Sequence, residues 1–450
     1  MADARSRWLA RLVPVLAVLA LWPVAPAAAA VKPRPVLVVP FDTTPLGADE
    51  KWIGEAIAQT VSLGLAQHPA FVQYERGRVR PATPWDVWTE AAVVQTGRSL
   101  RAEAAIFGQV TRAGTDLTIL PRLLELKPSG PDVIVMEPVA VPEGELINRL
   151  AALPPAYART MKVALTDAES ARMDKAARST RSLRALELYA RSEIAARRGG
   201  QEGLETAAEQ LGRAIEADAS FVVAQYTLGA VHASLGNRWK AAAQFRASTQ
   251  LDPTYPEPYK ALGDLFMAAP RRLFDQAVEA YAKAIELRPF YGDAHVGLGE
   301  AKAAKGDVDG AIAAYQRALS FNPVNARVYI SLGKIYYEEK GLFFEAVNSY
   351  KRAIDLDPTS IEARMGLGET DEDKGLYREA IEEYKRVIAL DDKHTKALYN
   401  LAAVYEKVDP REAIAHWERY IAVASQLQSE KDGIDTAQQH LRKLKRQVKD

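Results

Sequence analysis

The 450-residue sequence contains no cysteine. That absence removes disulfides, thiolate nucleophiles, Cys-ligated zinc and iron–sulfur clusters together. It also excludes lipid attachment at a cysteine behind a leader, and it neither supports nor opposes export. Histidine is scarce: His68, His232, His295, His394, His416 and His440 are all there are, and no two stand at the i, i+4 spacing of a helical metal pair. Charge of one sign is not in excess. Lys plus Arg and Asp plus Glu number 58 each, so no global imbalance points to nucleic acid or to an anionic membrane surface. What remains is 48% hydrophobic and 26% charged, the balance of a folded chain long enough for two or three domains with real cores.

Residues 1–30 have the plan of a secretory signal peptide. Arg5, Arg7 and Arg11 make a basic start, residues 12–24 form an apolar run, and Ala27 to Ala30 supply small residues for a peptidase. The run is shorter than the roughly 20 residues a membrane-spanning helix requires. The expectation is cleavage near Ala30, a mature protein beginning near Val31 in the periplasm or otherwise exported, and no stable membrane insertion after cleavage.

Residues 31–166 read as an α/β domain. Residues 35–41, Pro-Val-Leu-Val-Val-Pro-Phe, suit a strand buried on both faces. Residues 49–67 place Trp52, Ile53, Ala56, Ile57, Thr60 and Val61 at helical spacing, and His68-Pro69 stops that helix. A strand over 71–74, a helix over 85–100 and a strand over 104–110 follow, which predicts neighbouring parallel strands. Two β-rich runs, 116–126 and 132–141, are separated by turn residues. A last helix over 143–165 is interrupted or kinked at Pro154-Pro155. Val-Leu-Val-Val-Pro-Phe-Asp at the start, with Ala105-Ile106-Phe107-Gly108 and the Gly-Thr-Asp-Leu-Thr-Ile hairpin later, resembles the amino-terminal domain of TolB and of FlgO-type envelope proteins. The resemblance implies a non-catalytic module used in cell-envelope assemblies. Residues 167–182 read as a polar helical connector.

From 183 onward a period governs the chain. Leu228-Gly229, Leu262-Gly263, Leu298-Gly299, Leu332-Gly333, Leu367-Gly368 and Leu401-Ala402 are spaced 34, 36, 34, 35 and 34 residues apart. A small residue recurring at one place marks where a neighbouring helix approaches closely. After each step come Ala241, Ala277, Ala311, Ala346, Ala380 and Ala413, then an aromatic four residues on: Phe245, Tyr281, Tyr315, Tyr350, Tyr384 and Trp417. Pro253, Pro289, Pro323 and Pro358 end the second helix in four units, and Asp252, Asn322 and Asp357 before three of them suit a turn. This pattern resembles the tetratricopeptide repeat. About seven units are expected over 183–424, the first of them divergent and with a longer first helix, followed over 425–450 by a capping helix. That helix sets Ile434, Ala437, Leu441, Leu444 and Val448 against a basic side with Arg442, Lys443, Lys445, Arg446 and Lys449. The fold class is an α/β amino-terminal domain followed by an all-α tetratricopeptide solenoid, a right-handed superhelix.

No catalytic constellation, cofactor box or metal set emerges. Gly297-Leu298-Gly299 and Gly366-Leu367-Gly368 look like pieces of a dinucleotide loop, yet they fall at the helix-packing step. Residues 371–375 resemble a calcium loop only faintly and lack its closing Glu. The repeat tyrosines read as core fillers. The resemblance implies that the first helix of each unit lines a concave binding face. The matching positions are Tyr226, Glu257, Lys260, Asp264, Asp293, Glu300, Arg327, Lys334, Tyr337, Glu362, Glu369, Glu372, Lys396, Tyr399 and Glu406. Glu362, Glu369 and Glu372 suggest a basic segment of a protein or peptide partner. A chaperone-tail carboxylate clamp is not present, because Lys260 is followed by Asp264 rather than Asn. The reading is a non-enzymatic exported scaffold or adaptor of the bacterial cell envelope that binds protein and not nucleic acid. A self-associating assembly factor is the alternative, and an enzyme hidden in the amino-terminal domain comes last.

Overall fold

Val36 and Leu37, successive residues of strand β1 (Arg34–Val38), are both fully buried, because successive side chains of a strand point to opposite faces and here both faces are covered. The computed structural model describes residues 32–74, 88–142, 144–271 and 273–448. The leader, Trp85 and Lys449 lie outside them. The other strands are β2 (Phe71–Gln73), β3 (Ala104–Ala113), β4 (Asp116–Lys127), β5 (Gly130–Val135) and β6 (Val139–Val141). The sheet runs β2-β1-β3-β4-β5, with β6 also pairing β4. As the sequence predicts, β1 is parallel to β2 and to β3, whereas β4 is antiparallel to β3, β5 and β6.

Helix α1 (Lys51–Leu65) covers one face, packing Ile53, Ile57 and Val61 with Val36, Val38 and Ile106. Helix α2 (Glu90–Ser99) covers the other through Val93, beside Leu37, Val39 and Phe107. One expectation is corrected and one is refined. The run over 132–141 is split into β5 and β6. The helix expected over 143–165 is interrupted at the prolines as expected, but as two short helices, α3 (Leu146–Ala151) and α4 (Leu153–Thr160), with the prolines in the opening turn of α4, where a missing N–H is tolerated. Helix α5 (Asp167–Ala177) starts from a capping box made by Thr166 and Glu169. Met173 is fully buried in the same core as α1, so α5 packs on the sheet region despite its polar composition.

The rest is helical: α6 (Leu183–Arg198), α7 (Gly200–Ala217), α8 (Val222–Ser234), α9 (Arg238–Leu251), α10 (Glu257–Met267), α11 (Phe274–Leu287), α12 (Gly292–Ala304), α13 (Val308–Phe321), α14 (Ala326–Glu338), α15 (Phe343–Leu356), α16 (Ile361–Asp373), α17 (Tyr377–Leu390), α18 (Thr395–Val408), α19 (Pro410–Ala424) and α20 (Lys431–Gln447). From α6 to α19 each helix packs on the next in the chain. Helix α6 belongs to two cores. Leu186 and Ala190 join the sheet region, while Ala185, Leu188, Tyr189 and Ala195 join the first repeat helices.

The Leu-Gly steps hold the aromatics. A Cβ on Gly263 would lie 2.7 Å from the Tyr281 ring, and one on Gly297 would lie 2.4 Å from the same ring. Tyr281 is thus slotted between its own unit and the next. Gly333 and Gly366 flank Tyr350 in the same way. The two glycine pairs that looked like dinucleotide-loop fragments lie inside α12 and α16 at this contact. The 371–375 segment is likewise the end of α16, with Asp371 buried, and a turn at Gly375 (φ 75°).

Units end in an Asx turn. Asp252 Oδ1 accepts from Thr254 N at 2.9 Å, Asp357 Oδ1 from Thr359 N at 2.9 Å, and Asp391 Oδ1 from Lys393 N at 3.1 Å. Asp391 keeps this geometry with no proline behind it. The side chain therefore supplies the turn, and proline only enforces the extended backbone before it. Helix α20 lays Ala437 and Leu444 into the last core and pairs Lys445 with Glu418 at 2.6 Å.

Candidate functional site

All fifteen expected groove residues fall on the first helices of their units, α8, α10, α12, α14, α16 and α18. Their neighbours divide them into two groups. Tyr226, Glu257 and Asp293 stand where the repeats meet the sheet region. Leu63 of α1 packs into a cluster with Tyr255 and Val222, and Gln59 donates to the Tyr189 hydroxyl at 2.8 Å. Tyr226 meets the Tyr255 ring edge-on at 5.8 Å. Glu257 pairs with Arg288 at 2.8 Å, and both are largely buried. Asp293 lines a cavity of about 110 Å³ together with Ala66, Phe71, Gln73 and Arg288. Burial pushes the Tyr255 and Tyr291 hydroxyls well above the ordinary tyrosine range, and the Glu257 charge adds to the shift.

The remaining positions form a chain of contacts from unit to unit. Lys260 pairs with Asp264 at 2.8 Å, and Asp264 Oδ1 accepts from the Tyr281 hydroxyl at 2.7 Å. Glu300 meets Arg327 of the next unit at 2.7 Å. Burial pushes the Glu300 carboxyl up, against the pull of Arg327. Lys334 is 4.0 Å from Glu338, and the Tyr337 hydroxyl donates to Asp373 Oδ2 at 2.6 Å. Glu369 meets Lys396 at 2.5 Å. Glu372 accepts from the Tyr384 hydroxyl at 3.0 Å and lies 3.4 Å from Lys407. Glu362 is exposed. Tyr399 packs edge-on against Trp417 and Tyr420. Glu406 accepts from Trp417 Nε1 at 2.6 Å and contacts His440 Nδ1 at 2.8 Å.

Pairs of this kind, with at least one partner well exposed, contribute between about 0 and 1 kcal/mol each. They can exchange partners for a ligand at small cost. The acidic trio is therefore not a bare negative patch, since two of its carboxylates already face lysines.

Arg288 was not anticipated. It occupies the position where other units carry Asp or Asn, and the legible signal was that break in the register. Trp239 and Phe344 are exposed by 90% and 75%, each one residue into the second helix of its unit. Among the described residues no helix is long and apolar enough to cross a membrane.

Residues 299–340 match the family described as TPR repeat, and residues 326–360 and 361–394 match the tetratricopeptide repeat. The chain therefore carries tetratricopeptide repeats. The small glutamine-rich tetratricopeptide repeat-containing protein 2 of Mycosarcoma maydis is 31% identical over 116 residues, 26% of this chain and 32% of that protein. The chain thus spans about a third of the length of that curated relative. Among solved structures, MamA is similar at 28% identity over 38% of this chain and 97% of that one, with a TM-score of 0.34. YrrB, described as a TPR protein with an unusual peptide-binding site, is 21% identical over 43% of this chain and 98% of that one, with a TM-score of 0.37. The matched stretch 299–394 contains Glu300, Arg327, Lys334, Tyr337, Glu362, Glu369 and Glu372.

Proposed function

We propose that this chain is a non-enzymatic adaptor, exported to the bacterial cell envelope after cleavage near Ala30, whose repeats form a right-handed solenoid that holds a protein or peptide partner in its groove. The amino-terminal region, by its resemblance to the TolB and FlgO modules, docks the assembly to a second envelope component. The observation that carries this reading is the run of polar contacts along the first helices from α12 to α18, from Glu300 to Lys407. In each the basic partner is well exposed while the carboxylate is half-buried, so the contacts are weak and can be exchanged, as a recognition face requires. Stacked repeats present such a face as an extended concave surface. The segment from Arg327 to Glu372 is assigned the partner, because nearer the amino terminus β2 already lines a cavity with Arg288 and Asp293, and Leu63 of α1 joins the cluster that includes Tyr255. A basic stretch of the partner is placed beside Glu362, Glu369 and Glu372.

Photo-cross-linking residues placed at Lys334 and Glu362, with Trp239 as a control on a second helix, test this in intact cells. The same partner should appear at the first two sites and not at the third. Equal labelling at all three sites would overturn the assignment. An enzymatic reporter fused after Ala30 should be active only outside the cytoplasm.

A further inference from the structure

Strand β1 lies between β2 and β3, and the chain reaches β2 through α1 on one face and returns to β3 through α2 on the other. Crevices that bind small ligands in such sheets form beyond the carboxyl ends of the parallel strands, where the direction of winding reverses. A cavity of about 390 Å³ occupies that place here, within the size range of ligand pockets.

Its walls are chemically selective. Phe41 and Trp88, both buried, and Ile194 of α6 provide apolar surface. The walls carry five ionisable side chains: Asp42, Lys51, Glu55, Arg197 and Arg198. Both carboxylates are already engaged by the protein. Asp42 accepts from Thr44 N at 2.9 Å and from Gln109 Nε2 at 2.8 Å, and the almost fully buried Glu55 pairs with Arg197. Among the described residues Lys51 and Arg198 form no ion pair, which leaves the cavity with an excess of positive charge.

We propose that this crevice binds a small organic anion with a planar apolar body. The anionic group is held by Lys51 and Arg198, and the body by Phe41, Trp88 and Ile194. Because Ile194 and Arg198 come from the first repeat helix, the ligand bridges the sheet region and the repeats and tightens their junction. This inference does not depend on the adaptor reading.

Titration calorimetry on the purified full chain, with AMP and benzoate as planar anions and adenosine and inorganic phosphate as partial probes, tests it. One planar anion should bind at one site per chain, with adenosine or phosphate weaker by roughly tenfold or more, about 1.4 kcal/mol per decade. Lys51→Glu with Arg198→Glu should weaken that binding by a similar factor while the unliganded melting temperature holds, and Ile194→Trp should fill the cavity and abolish binding. If those variants fold poorly, hydrogen exchange on the wild type decides: the planar anion should protect residues 40–51 and 190–198. No binding of either planar anion, phosphate binding as tightly as AMP, unchanged affinity after charge reversal, or protection elsewhere would each overturn the proposal.

Discussion

The guanidinium of Arg288 and the carboxylate of Glu257 meet at 2.8 Å with only 8% and 15% of their side chains exposed. Burial disfavours the Arg288 charge, but Glu257 and the surrounding tyrosines hold its pKa above the usual arginine value. Removing one partner leaves the other charge buried alone, which costs about 3–5 kcal/mol, whereas replacing both by apolar residues is often neutral. Glu257→Ala should therefore lower the urea midpoint far more than Glu257→Leu with Arg288→Leu. Equal losses would show that the pair is not the reason for the cost.

Gly366 permits the approach of Tyr350, whose ring would lie 2.4 Å from a Cβ built there. Gly366→Val should destabilise by about 1–3 kcal/mol through overpacking. Combined with Tyr350→Ala it should cost less than the sum of the two single changes, because the second removes the obstruction. Additive losses in a denaturation series would count against the slot.

Burial pushes the Asp371 carboxyl up to about 6, with the Glu379 and Glu383 charges adding to the shift against the pull of Lys351. A folded-state value above the unfolded one means that the native state binds more protons between the two. Stability therefore falls as pH rises from about 4 to 6, and the penalty is complete above that. Asp371→Asn should gain about 1–2 kcal/mol near pH 7.5, a figure discounted for residual hydration, and little at pH 4. Thermal melts at both pH values check this, and a gain of equal size at pH 4 would refute the titration argument.

Lys396 is 65% exposed in its pair with Glu369. Glu369→Lys, alone or restored by Lys396→Glu, should change stability by no more than about 1 kcal/mol. It should nevertheless weaken capture of a basic partner. A folded variant that binds as before would end the acidic-face assignment.

Where legibility stopped follows from the distance over which contacts act. The slots for Tyr281 and Tyr350 could be read because both walls recur at a fixed spacing. The contacts between successive first helices were within reach of the same arithmetic: Glu300 to Arg327 and Glu369 to Lys396 are each 27 residues apart, a carboxylate late in one first helix facing a base early in the next. Arg288 was hidden because an Asx-turn position carries no information about the partner a different side chain would seek. The cavity unites Phe41, Trp88 and Arg198, which share no period. The burial of Met173 was masked by the polar residues around it, since one side chain is enough to seat a short helix against α1.

Helix α6 gives Leu186 and Ala190 to one core and Leu188 and Tyr189 to the other, and Arg197 reaches back to Glu55. A protein divided on either side of it would leave each fragment with a raw apolar flank. Solubility and cooperative unfolding of the two parts are thus tied to a single helix, and any lineage that traded the sheet region for another module would have had to rebuild that helix as well.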